Sequence, residues 1–379
     1  MIWLIPAGYL AFLVALFVTY RHRAPRLRDY APDSGGVLVS VIIPARNEAA
    51  NIARCVRSVL ATTYRPIEVL VLDDRSADAT AEIVAGIAAE PASGGRLRLI
   101  RGAELPDKWF GKSWALVQGY REAKGDLLVF TDADTAHEPE LIPRAVAALR
   151  AERVDLVSVL GRQELGSFWE RLIQPHVFLA LGARVGSFSR LNRTRVAWDA
   201  IANGQFILTS RAAYDAVGTH AAVRETVAED LALAQSYVRA GRDIFLIHST
   251  EFMTTRMYAS LGAILEGWSK NLALGTPLML PPIPWLRRIA PWFIWIPALA
   301  WIAPPVVWMA TGSVPWGAAT TVSLAIWIGV CLSEGAPAWY ALLYPLGAGM
   351  LAFIMMRSAW RGGRRVEWKG RRYSGGSSR

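Results

Sequence analysis

Apolar positions along the chain fall into two regimes. Residues Ile2 to Tyr20 form an almost uninterrupted apolar run, and about 20 such residues suffice to cross a bilayer as a helix. From Gly36 to about Ile247 the pattern changes, with short β-branched runs alternating with longer Ala-rich, charged stretches, as in an α/β domain. Five strands are legible: Val37 to Ile43, Ile67 to Leu72, Leu97 to Ile100, Leu127 to Thr131 and Leu156 to Leu160. Their continuous apolar character suits parallel strands covered on both faces. Asn47 to Ala61, Asp78 to Glu90, Ser113 to Ala123 and Glu138 to Arg150 supply the covering helices.

Beyond these, Ser167 to Arg190 carries Phe168, Trp169, Leu172, Ile173, Val177, Phe178, Leu181 and Val185 at helical spacing. This pattern fits a core-facing helix or one lying at a bilayer surface. Tyr258 to Leu280 has the same double character. After Leu286 come three strongly apolar segments, Ile289 to Ala310, Val314 to Leu332 and Ala336 to Met356. Pro291, Pro297, Pro304 and Pro305 make the first irregular. The expected organisation is an anchor over 1–21, a catalytic α/β domain over 36–256, interfacial helices over 257–286, a membrane region over 287–356 and a basic tail over 357–379.

Charge adds direction. Arg21, Arg23, Arg26 and Arg28 follow the first apolar run, the reverse of a cleaved signal peptide, so the run reads as an uncleaved anchor with the following domain cytoplasmic. The chain has a formal net charge of +10. Much of the excess lies in the last 23 residues, where eight basic side chains face only Glu367. A basic stretch beside a span fits an anionic lipid surface better than a nucleic acid. Four full crossings would put this tail opposite the catalytic domain. The charge pattern instead favours three crossings, with one proline-rich segment re-entrant, in a multi-pass protein of the cell inner or plasma membrane. Cys55 and Cys331 are too far apart in sequence and type of segment to indicate a disulfide scaffold or zinc site.

The candidate chemistry sits at strand ends, where open parallel sheets bind their ligands. Asp73 and Asp74 follow the second expected strand, and Asp132 and Asp134 follow the fourth. Two carboxylates one residue apart beyond a buried strand can hold Mg2+ or Mn2+ against phosphate oxygens. Asp73 or Asp74 can accept hydrogen bonds from a base or ribose, although the Asp74 to Asp78 stretch also suits a turn. Pro44-Ala-Arg-Asn-Glu48 stands where a dinucleotide fold or P-loop would place its glycines. The chain also lacks a Gly-x-Ser-x-Gly elbow, and its five histidines show no metal-ligand spacing.

Taken together, Val39 to Glu48, Val71 to Asp78, Gly111-Lys-Ser-Trp-Ala115, Phe130-Thr-Asp-Ala-Asp134, Asn203-Gly-Gln-Phe206 and Glu229-Asp230 resemble glycosyltransferase family 2, the inverting nucleotide-sugar enzymes. The nearest likeness is to membrane-anchored members acting on ceramide, carotenoid or hopanoid-related lipids. It covers roughly residues 37 to 275, and less clearly Trp368 to Tyr373. The resemblance implies a GT-A-like α/β fold with a mostly parallel sheet flanked by helices, an N-terminal transmembrane helix and a C-terminal membrane region. It also implies Pro44, Ala45 and Glu48 around uridine, Asp73 or Asp74 near base or ribose, Lys112 near the donor, and Asp132 near sugar and ribose. Asp134 would hold the metal and Asp230 would be the catalytic base, with Glu229 mainly supporting a helix start.

One departure from the family pattern affects the product. Where many processive and ceramide-specific relatives carry Gln/Arg-x-x-Arg-Trp, this chain reads Glu266-Gly-Trp-Ser-Lys270. Trp268 and Lys270 then stand for the aromatic platform and positive charge, and diphosphate contacts are shared among Lys112, Arg256 and Lys270. The expectation is metal-dependent transfer of a single sugar, from a nucleotide sugar such as a UDP-sugar, to a membrane lipid hydroxyl. Polysaccharide synthesis, or non-catalytic sugar-nucleotide binding at a membrane, are the alternatives.

Overall fold

The computed structural model describes residues 8–9, 24–361, 365–368 and 371–374. Apart from residues 8–9, the anchor expected over Ile2 to Tyr20 lies outside the described residues, as do 362–364, 369–370 and 375–379 of the basic tail. The chain divides into two compact units, one built mainly from 24–162 and 189–256, the other from 163–188 and 257–363.

The first unit is built on an eight-stranded sheet. Its strands are β1 (Val39–Ala45), β2 (Ile67–Asp73), β3 (Leu97–Arg101), β4 (Leu127–Thr131), β5 (Thr135–His137), β6 (Leu156–Gln163), β7 (Phe206–Ser210) and β8 (Ile244–Thr255). The order across the sheet is β3-β2-β1-β4-β7-β6-β8-β5. The pairs β3–β2, β2–β1 and β1–β4 are parallel, whereas β4–β7, β7–β6 and β8–β5 are antiparallel. The sheet is therefore mixed, correcting the mostly parallel expectation. The three unforeseen strands explain the difference. β5 is only three residues long, β7 is short with polar Thr209 and Ser210, and β8 mixes buried and exposed positions without strict alternation.

Every residue of β1 and β4 is buried, as expected of strands covered on both faces. The helices flanking the sheet's first half are α1 (Ile52–Leu60), α2 (Thr80–Ala89), α3 (Gly111–Glu122) and α4 (Leu141–Glu152). The contact of α3 with β1 is close, since a Cβ on Gly119 would meet Ile42 Cγ2 at 2.6 Å. Glycine is needed there for the helix to reach the sheet. That approach fixes the helix whose first turn carries Lys112. Phe130 is 2% exposed, between Tyr214 and His220. Truncating such an aromatic typically costs about 3–5 kcal/mol.

The second unit is helical. Helix α5 (Phe168–Val185) starts with a reciprocal Ser167–Glu170 capping box, and α7 (Leu261–Gly275) is capped by Ser260 Oγ accepting from Ala263 N at 3.2 Å. The intervening α6 (Glu229–Arg239) belongs to the sheet unit. Two further helices are α8 (Val314–Ser333) and α9 (Tyr344–Arg361). Among the described residues, Val314–Ser333 and Ala338–Arg361 are long and apolar enough to cross a membrane. The segments Pro284–Ala300 and Ala303–Thr311 meet at a bend of 48°, where Pro304 and Pro305 interrupt the backbone hydrogen bonding. Arg357 and Arg361, expected at the start of a tail, instead form the last turns of α9.

Candidate active site

The carboxyl ends of β1, β2 and β3 and the loops beyond them carry one end of the site. An open cleft of about 430 Å3 is lined there by Arg46, Arg75, Glu104 and Leu105. Its walls are held by backbone pairing. Asp73 ends β2 in register with Ala45, Asp74 N donates to the Ala45 carbonyl at 2.8 Å, and the Arg46 guanidinium donates to the Asp74 and Arg75 carbonyls at 2.5 and 3.0 Å. The loop after β1 is tied to that after β2 by Asn47 N to Ser76 Oγ at 3.0 Å, Ala77 N to Asn47 Oδ1 at 2.9 Å and Glu48 N to Thr80 Oγ1 at 2.8 Å. Pro44, Ala45, Glu48, Asp73 and Asp74 are thus neighbours through one hydrogen-bonded pair of loops.

Asp73 and Asp74 are both buried, at 1% and 0% exposure. Asp73 accepts from Ser76 N at 3.2 Å and from the Arg101 guanidinium at 3.3 Å. A buried carboxylate needs such partners, and Arg101 lies in the register position beside Asp73 on β3.

The other end of the site is a charge cluster. Lys112 Nζ is 2.7 Å from Asp132 Oδ1 and 2.7 Å from Glu229 Oε1. Asp230 Oδ2 accepts from Gly204 N at 2.9 Å, and its Oδ1 from Leu231 N at 2.8 Å. A Cβ at Gly204 would lie 3.1 Å from both Asp230 Oδ2 and Lys112 Nζ. Gly204 is therefore the point at which base candidate and ammonium converge. Lys112 stands in the first turn of α3, where the helix dipole disfavours a cation. Burial also works against its charge, yet Asp132, Glu229 and Asp230 outweigh both and raise its pKa well above the ordinary value. Glu229 and Asp230 open α6, where the same dipole favours negative charge.

Burial also raises the pKa of Asp230, assisted by the charge on Glu229. Lys112 and the Gly204 and Leu231 amides pull the other way, leaving it at about 6. A carboxylate at that value is mostly ionised at neutral pH and is still a useful proton acceptor.

The turn holding Asp132 and Asp134 is braced from beneath. Thr135 Oγ1 donates to the Asp132 carbonyl at 2.8 Å, Cys55 Sγ lies 3.5 Å from the same oxygen, and Thr131 Oγ1 donates to the Gln205 carbonyl at 2.7 Å. Asn203 N donates to Ser158 Oγ at 2.7 Å and its amide to the Val159 carbonyl at 2.9 Å, which fixes the Asn203-Gly-Gln205 loop against this turn. Arg256, exposed, follows Thr255, which pairs with Thr135 just past Asp134.

Among the described residues no group of three or more His, Cys, Asp or Glu side chains is placed to hold a metal. Asp132 and Asp134 still offer hard oxygen donors of the right kind. Mg2+ is commonly bound by one or two carboxylates with substrate phosphates completing its shell. The pair fits a cation that arrives with a diphosphate, and Asp132 already faces a cationic group in Lys112.

Trp268 and Lys270 belong to α7 of the helical unit. The Trp268 indole is 5% exposed and packs edge-on against Phe178 and Tyr258, as part of that unit's core. Sequence reasoning missed the pairing of Glu229 with Lys112, the Arg101–Asp73 contact and the Arg46–Arg75 cleft. It quoted Gly204 without a role, although a glycine just before a strand is a signal for close backbone approach.

Comparison with known proteins adds a family likeness to this geometry. The family model described as glycosyl transferase family 2 matches residues 40–218. A 4,4'-diaponeurosporenoate glycosyltransferase of Staphylococcus haemolyticus is 27% identical over 250 residues, 65% of this chain and 64% of that protein. Its counterpart in Staphylococcus aureus strain USA300 is 28% identical over 250 residues, 65% of this chain and 63% of that protein. The match thus spans less than two thirds of these relatives' length. Among solved structures, a mannosyltransferase from Pyrobaculum calidifontis in complex with GDP-Man and Mn2+ aligns over 93% of this chain and 99% of its own, with a TM-score of 0.57 and 20% identity. That likeness is one of fold. Over residues 40–218 the chain is similar to glycosyltransferase family 2. Its carotenoid-named relatives lend no support to the ceramide and hopanoid likenesses.

Proposed function

We propose that this family 2 glycosyltransferase moves a single sugar from a nucleotide-sugar donor, with inversion, to a membrane lipid acceptor. The observation that carries this reading is the convergence of Lys112, Asp132, Glu229 and Asp230 around Gly204, beyond the buried β4 strand. The cleft after β1 to β3 takes the nucleoside, with Asp73 and Asp74 near base or ribose and Pro44, Ala45 and Glu48 along its wall. Asp132 and Asp134 would hold the cation, Mn2+ or Mg2+, whose charge would offset that of the departing diphosphate. Lys112, with Arg256 as a further candidate, supplies fixed positive charge for the same purpose.

Asp230 takes the proton of the acceptor hydroxyl as that oxygen attacks the anomeric carbon from the side opposite the diphosphate. The Gly204 and Leu231 amides hold its carboxylate in one orientation. Lys112 keeps the crowded carboxylates from repelling one another apart. Spans α8 and α9 keep the chain at the bilayer, where a lipid need only present its polar end. The solved mannosyltransferase holds GDP-Man and Mn2+, which supports a nucleotide-sugar donor and a divalent cation without bearing on the residues that hold them.

A second acceptor chemistry is favoured by the relatives' name, which denotes a carboxylate. Such an acceptor is already ionised and has no proton for Asp230 to take. The deciding experiment supplies the purified chain with several nucleotide sugars, Mn2+ or Mg2+, and lipids bearing either a hydroxyl or a carboxylate, with products read by mass spectrometry. Metal-dependent transfer to one lipid class supports the reading. Donor binding without turnover across the whole panel rejects it, and polymer formation replaces it with polysaccharide synthesis.

A further inference from the structure

The C-terminal end of α9 brings together charge and apolar surface in a way the sugar-transfer chemistry does not use. Arg357 and Arg361 are four residues apart and so share one helix face. The Arg357 guanidinium donates to the Leu265 carbonyl at 3.0 Å, Ser269 Oγ at 3.1 Å and Glu266 Oε2 at 3.1 Å, while Arg361 donates to the same Glu266 oxygen at 2.6 Å. Two guanidinium groups face one carboxylate, leaving one positive charge in excess. The arginines remain 30% and 38% exposed, and each has further N–H groups to donate.

Beside this face runs an exposed apolar stripe. Leu346, Phe353 and Trp360 recur every seven residues, with Met356 between them, so they lie along one side of a helix apolar enough to span a bilayer. The stripe ends at Trp360, which is 85% exposed. Tryptophan marks the headgroup level of membranes, and Arg361 is its neighbour.

We propose that Arg357 and Arg361 bind the phosphate of an anionic phospholipid whose acyl chain lies along Leu346, Phe353 and Met356. The occupant is a lipid because the charge excess sits at the end of an apolar stripe, and only an amphiphile satisfies both. Glu266 fixes the two arginines against α7 and competes with the phosphate for them. The inference rests on α9 crossing the membrane, as in the proposed function, and is independent of donor and acceptor.

The full chain in nanodiscs of phosphatidylcholine with graded phosphatidylglycerol provides the test, with retained lipid counted by native mass spectrometry. Arg361→Gln should lower phosphatidylglycerol enrichment about fivefold, the effect of one basic residue at an anionic surface, and Arg361→Lys should restore most of it. Glu266→Gln should keep or raise enrichment, because it removes the competitor. Enrichment unchanged in Arg361→Gln would overturn the site, as would a parallel fall in both Arg361→Gln and Glu266→Gln, which marks a structural clasp only. Displacement of the lipid by millimolar pyrophosphate would assign the arginines to a soluble phosphate instead. Release of the wild-type chain from membranes by alkaline carbonate would refute the membrane reading itself, separately from this site.

Discussion

Lys112 holds Glu229 as closely as it holds Asp132, with its ammonium 2.7 Å from a carboxylate oxygen of each. Glu229 is therefore more than a favourable charge at the start of α6. It fixes the ammonium that sits between the Asp132 to Asp134 turn and the base candidate. Glu229→Gln keeps the shape but loses half of this clamp, and is expected to lower kcat/KM about tenfold or more with donor affinity also reduced. Steady-state kinetics with calorimetry of donor binding checks this. Activity and donor affinity both at the wild-type level would return Glu229 to a helix-capping role.

Removing the cation itself has a pH signature. Lys112→Met leaves Asp132 and Asp230 beside the Glu229 carboxylate without compensation, so the folded pKa values of Asp132 and Asp230 rise further above the unfolded ones. Groups raised in this way favour the folded state at low pH and lose that contribution as pH rises through the folded values. The variant should therefore fall progressively below wild type in unfolding temperature between about pH 5 and pH 8. A constant difference across that range would mean that Lys112 contributes packing alone.

Asp230 offers the complementary case. Its folded pKa of about 6 lies above the ordinary value of 3.8, so the ionised carboxylate costs stability once pH exceeds the unfolded value. Asp230→Asn should raise the unfolding temperature at pH 7.5 and lose that advantage below about pH 4, with an upper bound of about 3 kcal/mol. Turnover with a hydroxyl acceptor should fall about 10²- to 10⁴-fold. The wild-type kcat/KM should show an acid limb with its midpoint near 6. A stabilised variant with undiminished turnover would remove Asp230 from proton transfer.

How far the sequence carried this picture depends on whether the signal was local. Val39–Ala45 and Leu127–Thr131 are buried on both faces, so an apolar run alone identified them, and Asp132 and Asp134 were legible because they follow such a run directly. β7 and β8 escaped notice because antiparallel partners, not their own composition, make them strands. Glu229 was undervalued because its partner lies on a helix far away in sequence. Arg357 and Arg361 read as the start of a basic tail beside the last span, since nothing near them in sequence announces Glu266. The apolar turns that make α9 a candidate span were nevertheless clear from hydropathy.

Gly204 gives a test of geometry with little change in chemistry. A methyl there meets Asp230 Oδ2 and Lys112 Nζ at 3.1 Å, so one of them must move by a few tenths of an ångström. Asp230 is held by two backbone amides and Lys112 by Asp132 and Glu229, so either displacement breaks a contact of the site. Gly204→Ala should cost roughly tenfold in kcat, since small misplacements at a reacting centre are expensive, with donor affinity and unfolding temperature nearly retained. An unfolded variant, or one with full activity, would show that this close approach does not set the reacting geometry.

The metal pair is tested by Asp134→Asn, which removes a carboxylate charge while keeping nearly the same volume. Turnover is expected to fall at least 100-fold, a loss on the scale of removing an electrostatic stabiliser. The unfolding temperature without donor should move little, because Asp134 is only partly buried. Metal titrations of turnover and chelation by EDTA supply the control. Wild-type turnover that survives EDTA, or an Asp134→Asn enzyme with normal activity, would reject a cation at this turn.

The last prediction concerns sidedness. Val314–Ser333 and Ala338–Arg361 are separated by only four residues, 334–337, so two crossings by them return the chain to the side on which it began. The preceding Pro284–Ala300 and Ala303–Thr311 pair bends by 48° at prolines, which makes it either a broken span or a segment that dips into the bilayer and turns back. If it turns back, the catalytic domain, Gly312 and the basic tail share one side, and the positive charge after Tyr20 and near the C-terminus makes that side the cytoplasm. Single cysteines placed at residues 150, 312, 335 and 379, in a background lacking Cys55 and Cys331, can be labelled in intact cells and in inverted vesicles. Positions 150, 312 and 379 should react from the cytoplasmic side and 335 from the opposite side. Labelling of 312 opposite to 150 would make the bent pair a full crossing, and 379 would then lie on the far side as well, against the charge rule.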